Sequence, residues 1–146
     1  MGYLKNKSDI NISSAELLYK NNLYSSSVHC AYYSCIQLMK YIICHKIGID
    51  YDKQEIEISQ LKTQKAKRTG SHNYMIDEEI MCSVDKKEAS IFVDLIEDLK
   101  DFREESDYGN VEILSSKSSD SISKAYDIRK QLINFFHVWK IVGIPS

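Results

Sequence analysis

Apolar residues recur at helical spacing along most of the chain, and no stretch alternates with the two-residue period of a β-strand. The clearest stripe lies at about residues 25–46, where apolar side chains occupy every third or fourth position: Val28, Ala31, Tyr32, Cys35, Leu38, Met39, Ile42 and Ile43. Other faces of the same segment also carry aromatic and aliphatic residues. This pattern predicts either a central helix or a helix with one face against a partner.

A shorter helix is expected before this one. Ser13 is its candidate N-cap, and Glu16, three residues later, completes the pattern of a capping box. The helix is expected to end near Asn21. Residues 49–70 show the least regular pattern, which predicts a loop with at most a short helical turn.

The second half of the chain predicts three more helices. One spans about residues 72–83, and the next begins after a cap at Asp85 and stops at Gly109. Residues 115–120 form a polar connector or the first turn of the last helix. The last helix carries a second apolar row that widens its stripe beyond the usual need of a monomer core: Ile128, Phe135, Trp139 and Val142.

Length and composition favour a single helical domain. A chain of 146 residues with one Pro and five Gly fits one domain, residues 1–146, built from long uninterrupted helices. The predicted fold class is all-α, with about five helices around an up-and-down four-helix bundle.

Charge and cysteine usage exclude several classes of protein. The net charge of −2 gives no overall attraction to nucleic acid, so any such contact must be local. The polar N-terminus and the lack of an apolar run of ~18 residues predict a cytoplasmic protein without membrane contact. The chain has no C-x-x-C or Glu-x-x-His pair, which predicts free thiols, no metal and no cofactor; the four cysteines are Cys30, Cys35, Cys44 and Cys82.

Arg103, Asp107 and Tyr108 form the leading candidate site. Arg103 and Asp107 stand four residues apart on the predicted helix, at its end. Two interpretations remain open. The pair is either an ordinary intrahelical ion pair, with Tyr108 as a packing residue, or Asp107 orients an arginine that holds a phosphate.

Two further segments are weaker candidates. His72 opens a predicted helix and is either a polar terminal residue or a group that binds phosphate or handles protons. The basic run before it, with Lys65, Lys67 and Arg68, is either a solvated loop or a local phosphate-binding patch. His29, four residues before Tyr33 and off the main apolar stripe, is expected to be an interior or interface histidine rather than a catalyst.

The order of these features resembles the HEPN family, in particular small prokaryotic members. The resemblance rests on Ala31-Tyr32-Tyr33-Ser34-Cys35 in the long helix, Ser71-His72 after the basic loop, and Arg103 followed by Asp107-Tyr108. It covers roughly residues 12 to 140. Ser106 stands where that branch has Ala.

The resemblance implies a homodimer whose facing helices build a composite cleft. It also implies a role in RNA cleavage or nucleotide handling, often beside a nucleotidyltransferase partner in toxin–antitoxin or defence systems. Ribonuclease members carry His four to six residues after the motif Arg. Here Asp107, Tyr108 and Gly109 follow Arg103 at that distance, and the next histidine is His137.

Two functional hypotheses follow. The first is an RNA- or nucleotide-directed module with a degenerate ribonuclease motif. The second is a non-catalytic homodimeric helical interaction module, in which Arg103 and Asp107 have structural roles and the wide apolar stripes serve assembly.

Overall fold

The computed structural model describes residues 3–64, 80 and 86–136. These residues contain α1 (Tyr3–Lys20), α2 (Tyr24–Ile42), α3 (Tyr51–Gln64), α4 (Lys86–Tyr108) and α5 (Ser115–Phe136). A π-helical turn, Ile43–Ile47, prolongs α2. The predicted all-α class is confirmed, and the described part of the chain contains no strand. In the same residues, no helix is long and apolar enough to cross a membrane.

Four helices form an up-and-down bundle, and cross-helix contacts fix their directions. Early residues of α1 meet late residues of α2, so these two helices are antiparallel. The same reversal of order relates α2 to α4, α4 to α5, and α5 to α1. Representative pairs are Ser8 with Ser34, His29 with Asp107, Asp98 with Lys124, and Glu16 with Tyr126.

Helix α2 lies at the centre of the bundle. It contacts α1, α4 and α5, and it supplies the largest share of the buried core. Its buried apolar side chains pack against Phe92, Ile96 and Leu99 of α4 and against Ile128 and Leu132 of α5. The all-round apolar pattern of this segment is therefore accounted for by three neighbouring helices within one chain.

Small residues let α1 approach α2 closely. Ser27 is fully buried and donates a hydrogen bond to the Ala15 carbonyl at 2.7 Å, and Ser8 donates to the Ser34 carbonyl at 2.5 Å. Hydroxyls satisfied in this way can be buried at an interface that has few large apolar side chains. Ile12 is the main aliphatic side chain that α1 contributes to the buried core.

The predicted start of the first helix is wrong. Helix α1 begins at Tyr3, so Ser13 and Glu16 lie inside it rather than at its N-terminus. The first half of α1 buries Lys5 and Ser8, and Arg129 of α5 pairs with Asp9. Because these buried positions are polar, they carry no apolar period that sequence analysis could detect.

The loop predicted for residues 49–70 is also corrected, because α3 occupies Tyr51–Gln64. The Asp50 side chain accepts a hydrogen bond from the backbone of Lys53 at 2.8 Å, as an N-cap does. Gln54 is 3% exposed and donates to the Ile49 carbonyl at 2.9 Å, and Ile58 joins the core. A buried glutamine and a single core isoleucine give too weak a period for a helix to be predicted.

The later helices agree better with their patterns. Helix α4 ends at Tyr108, and Gly109 follows it, as expected. A Cβ at Gly109 would lie 2.6 Å from the Glu105 carbonyl oxygen, which explains why glycine stands there. Helix α5 begins at Ser115, so 115–120 is its first turn rather than a connector. The helix predicted over 72–83, except Ile80, lies outside the described residues, as do Trp139 and Val142.

Candidate functional site

Arg103 lies against three tyrosine rings at the junction of α2 and α4. Its guanidinium carbon is 4.9 Å from the ring centre of Tyr32, 5.8 Å from that of Tyr33 and 5.6 Å from that of Tyr108. These distances fall within the range of cation–π attraction. The adjacent residues Tyr32 and Tyr33 meet edge to face, with ring centres 5.2 Å apart. We refer to Arg103, Tyr32, Tyr33 and Tyr108 as the tyrosine cage.

The cage is buried on one side and open on the other. Tyr32 is 3% exposed, whereas Tyr108 is 77% exposed and closes the cage from the solvent side. The Arg103 side chain itself is 13% exposed. Tyr108 is the last residue of α4, so its side chain can move without disturbing the bundle core.

Burial and the tyrosine hydroxyls act on the charge of Arg103 in opposite directions. Burial lowers the pKa of Arg103, but the hydroxyls of Tyr33, Tyr32 and Tyr108 raise it, and the net change is upward. For Tyr32, burial raises the pKa of the phenol, and the positive charge of Arg103 offsets only part of that rise. The cage therefore holds a permanent positive charge beside the neutral phenol of Tyr32.

The guanidinium of Arg103 hydrogen-bonds to tyrosine hydroxyls, that of Tyr32 among them, and leaves one buried donor without an acceptor among the described residues. Arg103 donates from Nη1 to the Tyr108 hydroxyl at 3.4 Å, which is a long hydrogen bond. Its Nε is buried and finds no acceptor among the described residues. An arginine has five N–H donors, and a buried donor left without an acceptor costs roughly 1–3 kcal/mol. The site thus has donor capacity for an anionic ligand.

Asp107 connects the cage to His29. One carboxylate oxygen, Oδ2, is 3.7 Å from Arg103 Nη1 and 3.0 Å from His29 Nδ1. The other, Oδ1, is 3.1 Å from the same His29 nitrogen. His29 is 47% exposed, and its ring packs on Tyr33 with centres 4.6 Å apart. Asp107 is therefore shared between two helices, and its closer partner is the histidine.

This geometry bears on the two interpretations of Arg103 and Asp107, an ordinary ion pair or a phosphate-binding arginine oriented by Asp107. Arg103 and Asp107 do form the intrahelical pair that their separation predicts, but at 3.7 Å it is looser than the contact with His29. His29 was expected to be an interior or interface residue, and the structure places its ring at the site. The only sequence signal was its position one helical turn before Tyr33.

The grouped side chains allow three kinds of interaction. A guanidinium with unused donors can hold a phosphate. The exposed ring of Tyr108 and the half-buried ring of Tyr33 can stack on a base. An imidazole whose Nδ1 faces a carboxylate leaves Nε2 available to exchange a proton.

The remaining candidates do not join this cluster in the described structure. His72, Lys65, Lys67 and Arg68 lie outside the described residues, so their placement stays a prediction. The described cysteines Cys30, Cys35 and Cys44 are free thiols, and Cys82 lies outside. Within the residues that the structure covers, no group of His, Cys, Asp and Glu could hold a metal ion.

Comparison with known proteins adds no relative. No family model matches the chain, and no similar curated protein or solved structure is found. The resemblance to the HEPN family therefore stays a prediction that rests on the sequence motifs alone.

Proposed function

We propose that this protein is a HEPN-like module that binds RNA or a nucleotide, with the tyrosine cage as its phosphate site. Arg103 is the phosphate-binding group, and Tyr108 and Tyr33 provide the surfaces for base stacking. The motif of ribonuclease members is incomplete because Asp107, not His, follows Arg103.

The observation that carries the proposal is the buried, unpartnered Nε of Arg103 inside an aromatic cluster. A buried arginine with a structural role is expected to find an acceptor for its Nε, as Arg129 does in the Ser8 hydroxyl, beside its bond to Asp9. Arg103 instead hydrogen-bonds to the hydroxyls of Tyr32 and Tyr108 and lies 3.7 Å from the Asp107 carboxylate, while its Nε has no acceptor among the described residues. A phosphate oxygen would supply the missing acceptors.

The proposed biological setting follows from the family resemblance. It is a toxin–antitoxin or defence system in which the protein is a cytoplasmic homodimer beside a nucleotidyltransferase-type partner. The predicted basic patch with Lys65, Lys67 and Arg68, and His72 after it, would add further phosphate contacts. Co-purification of nucleic acid or a nucleotide with the protein would be the first support for this setting.

Fluorescence anisotropy with a labelled oligouridine tests the binding function. Arg103→Ala should weaken binding at least about tenfold, and Arg103→Lys should restore only part of it, because an ammonium cannot reproduce the bidentate fork. Lys100→Ala is the matched control, since Lys100 lies one turn earlier on α4 and pairs with Glu104 rather than with a residue of the cage. Equal losses in both alanine variants would show that only general charge matters and would contradict the proposal.

One observation favours the second function, a homodimeric interaction module. Tyr3, Ile10 and Leu17 follow one another at seven-residue spacing on α1, and each is more than half exposed. A helix with such a row can pack against another helix. Sedimentation of the parent protein and of Ile10→Lys at tens of micromolar distinguishes a dimer that uses this row from one that does not.

A further inference from the structure

Asp107 occupies the place where an anionic ligand would bind. Its Oδ2 lies within reach of both Arg103 Nη1 and His29 Nδ1, so one carboxylate oxygen joins two nitrogen donors from different helices. A phosphate oxygen prefers the same donors as a carboxylate oxygen does. The two anions therefore compete for one position.

We infer that Asp107 is an internal, displaceable occupant of a two-cation site, and that a phosphodiester binds to Arg103 and His29 in exchange for it. This inference rests on the proposed function and deepens it in two ways. It assigns His29 as a second ligand-binding residue, and it assigns Asp107 as a competitor of the ligand. If Asp107 instead orients Arg103, removing the charge of Asp107 should weaken binding of the phosphodiester.

The location of Asp107 makes its displacement easy. It stands in the last turn of α4, where the helix dipole disfavours negative charge, and that turn contains no basic residue. Its distance to Arg103 exceeds that of a hydrogen bond, so only the contact with His29 is close. Rotation of one side chain at a helix end would release both cations without moving the backbone.

The charges around His29 define which ligand fits. Among the described residues, Asp107 of α4 and the phenol of Tyr33 on its own helix face the imidazole, and Arg103 lies beyond Asp107. The nearby carboxylates Glu104 and Glu105 pair with Lys100 and Lys117. With His29 protonated, the three site residues carry one net positive charge. That matches one phosphodiester group, which carries a single negative charge.

The test measures the binding of a fluorescein-labelled oligouridine to three variants, Asp107→Asn, His29→Gln and Arg103→Ala, at about pH 6. Asp107→Asn keeps the shape and removes the competing charge. If Asp107 occupies the site nine-tenths of the time, this variant should bind about tenfold tighter, because the apparent Kd is the intrinsic value divided by the open fraction. His29→Gln removes the second nitrogen donor and should bind several-fold weaker than the parent.

The outcomes separate this inference from the proposed function. Weaker or unchanged binding by Asp107→Asn, with Arg103→Ala still defective, overturns the exchange and leaves the phosphate site standing. An Arg103→Ala variant that binds like the parent overturns both. Thermal melting of each variant shows whether it is folded. A second measurement needs no substitution: the NMR signals of the His29 ring should shift when inorganic phosphate is added. Absence of that shift at about pH 6 contradicts the role of His29.

Discussion

The charge cluster that attaches α1 to α5 gives a sharp test of the packing. Lys5, Asp9 and Arg129 place two cations around one carboxylate, and Arg129 also donates to Ser8 at 3.4 Å. The side chains of Lys5 and Arg129 are 11% and 9% exposed, whereas that of Asp9 is 26% exposed. The substitutions Asp9→Asn and Arg129→Met should therefore have unequal effects.

Asp9→Asn leaves two buried cations without a counter-charge. Removing one partner of a buried ion pair destabilises a protein by about 3–5 kcal/mol, and the partial exposure of Asp9 reduces this to roughly 2–3 kcal/mol. Arg129→Met leaves Asp9 paired with Lys5 and fills a similar volume, so about 1–2 kcal/mol should be lost. The double variant should lose less than the sum of the two.

The deficit of Asp9→Asn should also depend on pH. Burial lowers the pKa of Lys5 below 10.5, Asp9 raises it, and Arg129 lowers it further. Without Asp9, the native protein gives up the Lys5 proton at lower pH than the unfolded chain does. Stability then rises with pH in the interval below 10.5, because the unfolded state binds more protons there.

Urea unfolding at neutral pH and again at about pH 9.5 measures both effects, with the m-value as the check on two-state behaviour. The reasoning is refuted if Arg129→Met is as destabilising as Asp9→Asn. It is equally refuted if the difference between Asp9→Asn and the parent does not shrink as the pH rises.

Two other substitutions test local features. Gly109→Ala should destabilise the protein by about 1–2 kcal/mol in urea unfolding, because the new Cβ would lie 2.6 Å from the Glu105 carbonyl oxygen; an unchanged midpoint would contradict this close approach. Burial raises the pKa of the Cys35 thiol to about 12 from 9.0, so the native state binds more protons and loses stability as the pH rises through that window. Cys35→Ala should reduce this alkaline loss by up to ~1.4 kcal/mol per pH unit, and a parallel pH profile would argue against it.

The sequence predicts the helices whose buried residues are apolar and fails where they are polar. Helices α2, α4 and α5 repeat large apolar side chains, and each was expected near its observed position. The first half of α1 and the start of α3 depend on buried polar residues such as Ser8 and Gln54, which hydrogen-bond to backbone carbonyls of other segments. Such contacts depend on tertiary structure and leave no periodic signal.

The site residues also fall into two groups, those that local spacing relates and those that tertiary packing brings together. Arg103, Asp107 and Tyr108 were identified because they are neighbours on one helix, and local spacing determines their relation. His29 is 78 residues from Asp107 along the chain, and its contact depends on the antiparallel packing of α2 against α4. The same packing places Tyr32 and Tyr33 against the guanidinium. Sequence spacing alone could not place these rings at the site.

The two functional hypotheses predict different effects of Arg103→Ala on stability and on ligand binding. If Arg103 were half of a closed buried pair, its loss would strand Asp107 and destabilise the protein by ~3–5 kcal/mol. In the structure, His29 is the closer partner of Asp107, so Asp107 would keep this contact after Arg103→Ala. Arg103→Ala should then lose only the contacts with the tyrosine rings, about 1–2 kcal/mol. A modest fall in Tm together with lost oligouridine binding supports the phosphate site, whereas a large fall with no binding in the parent favours the interaction module.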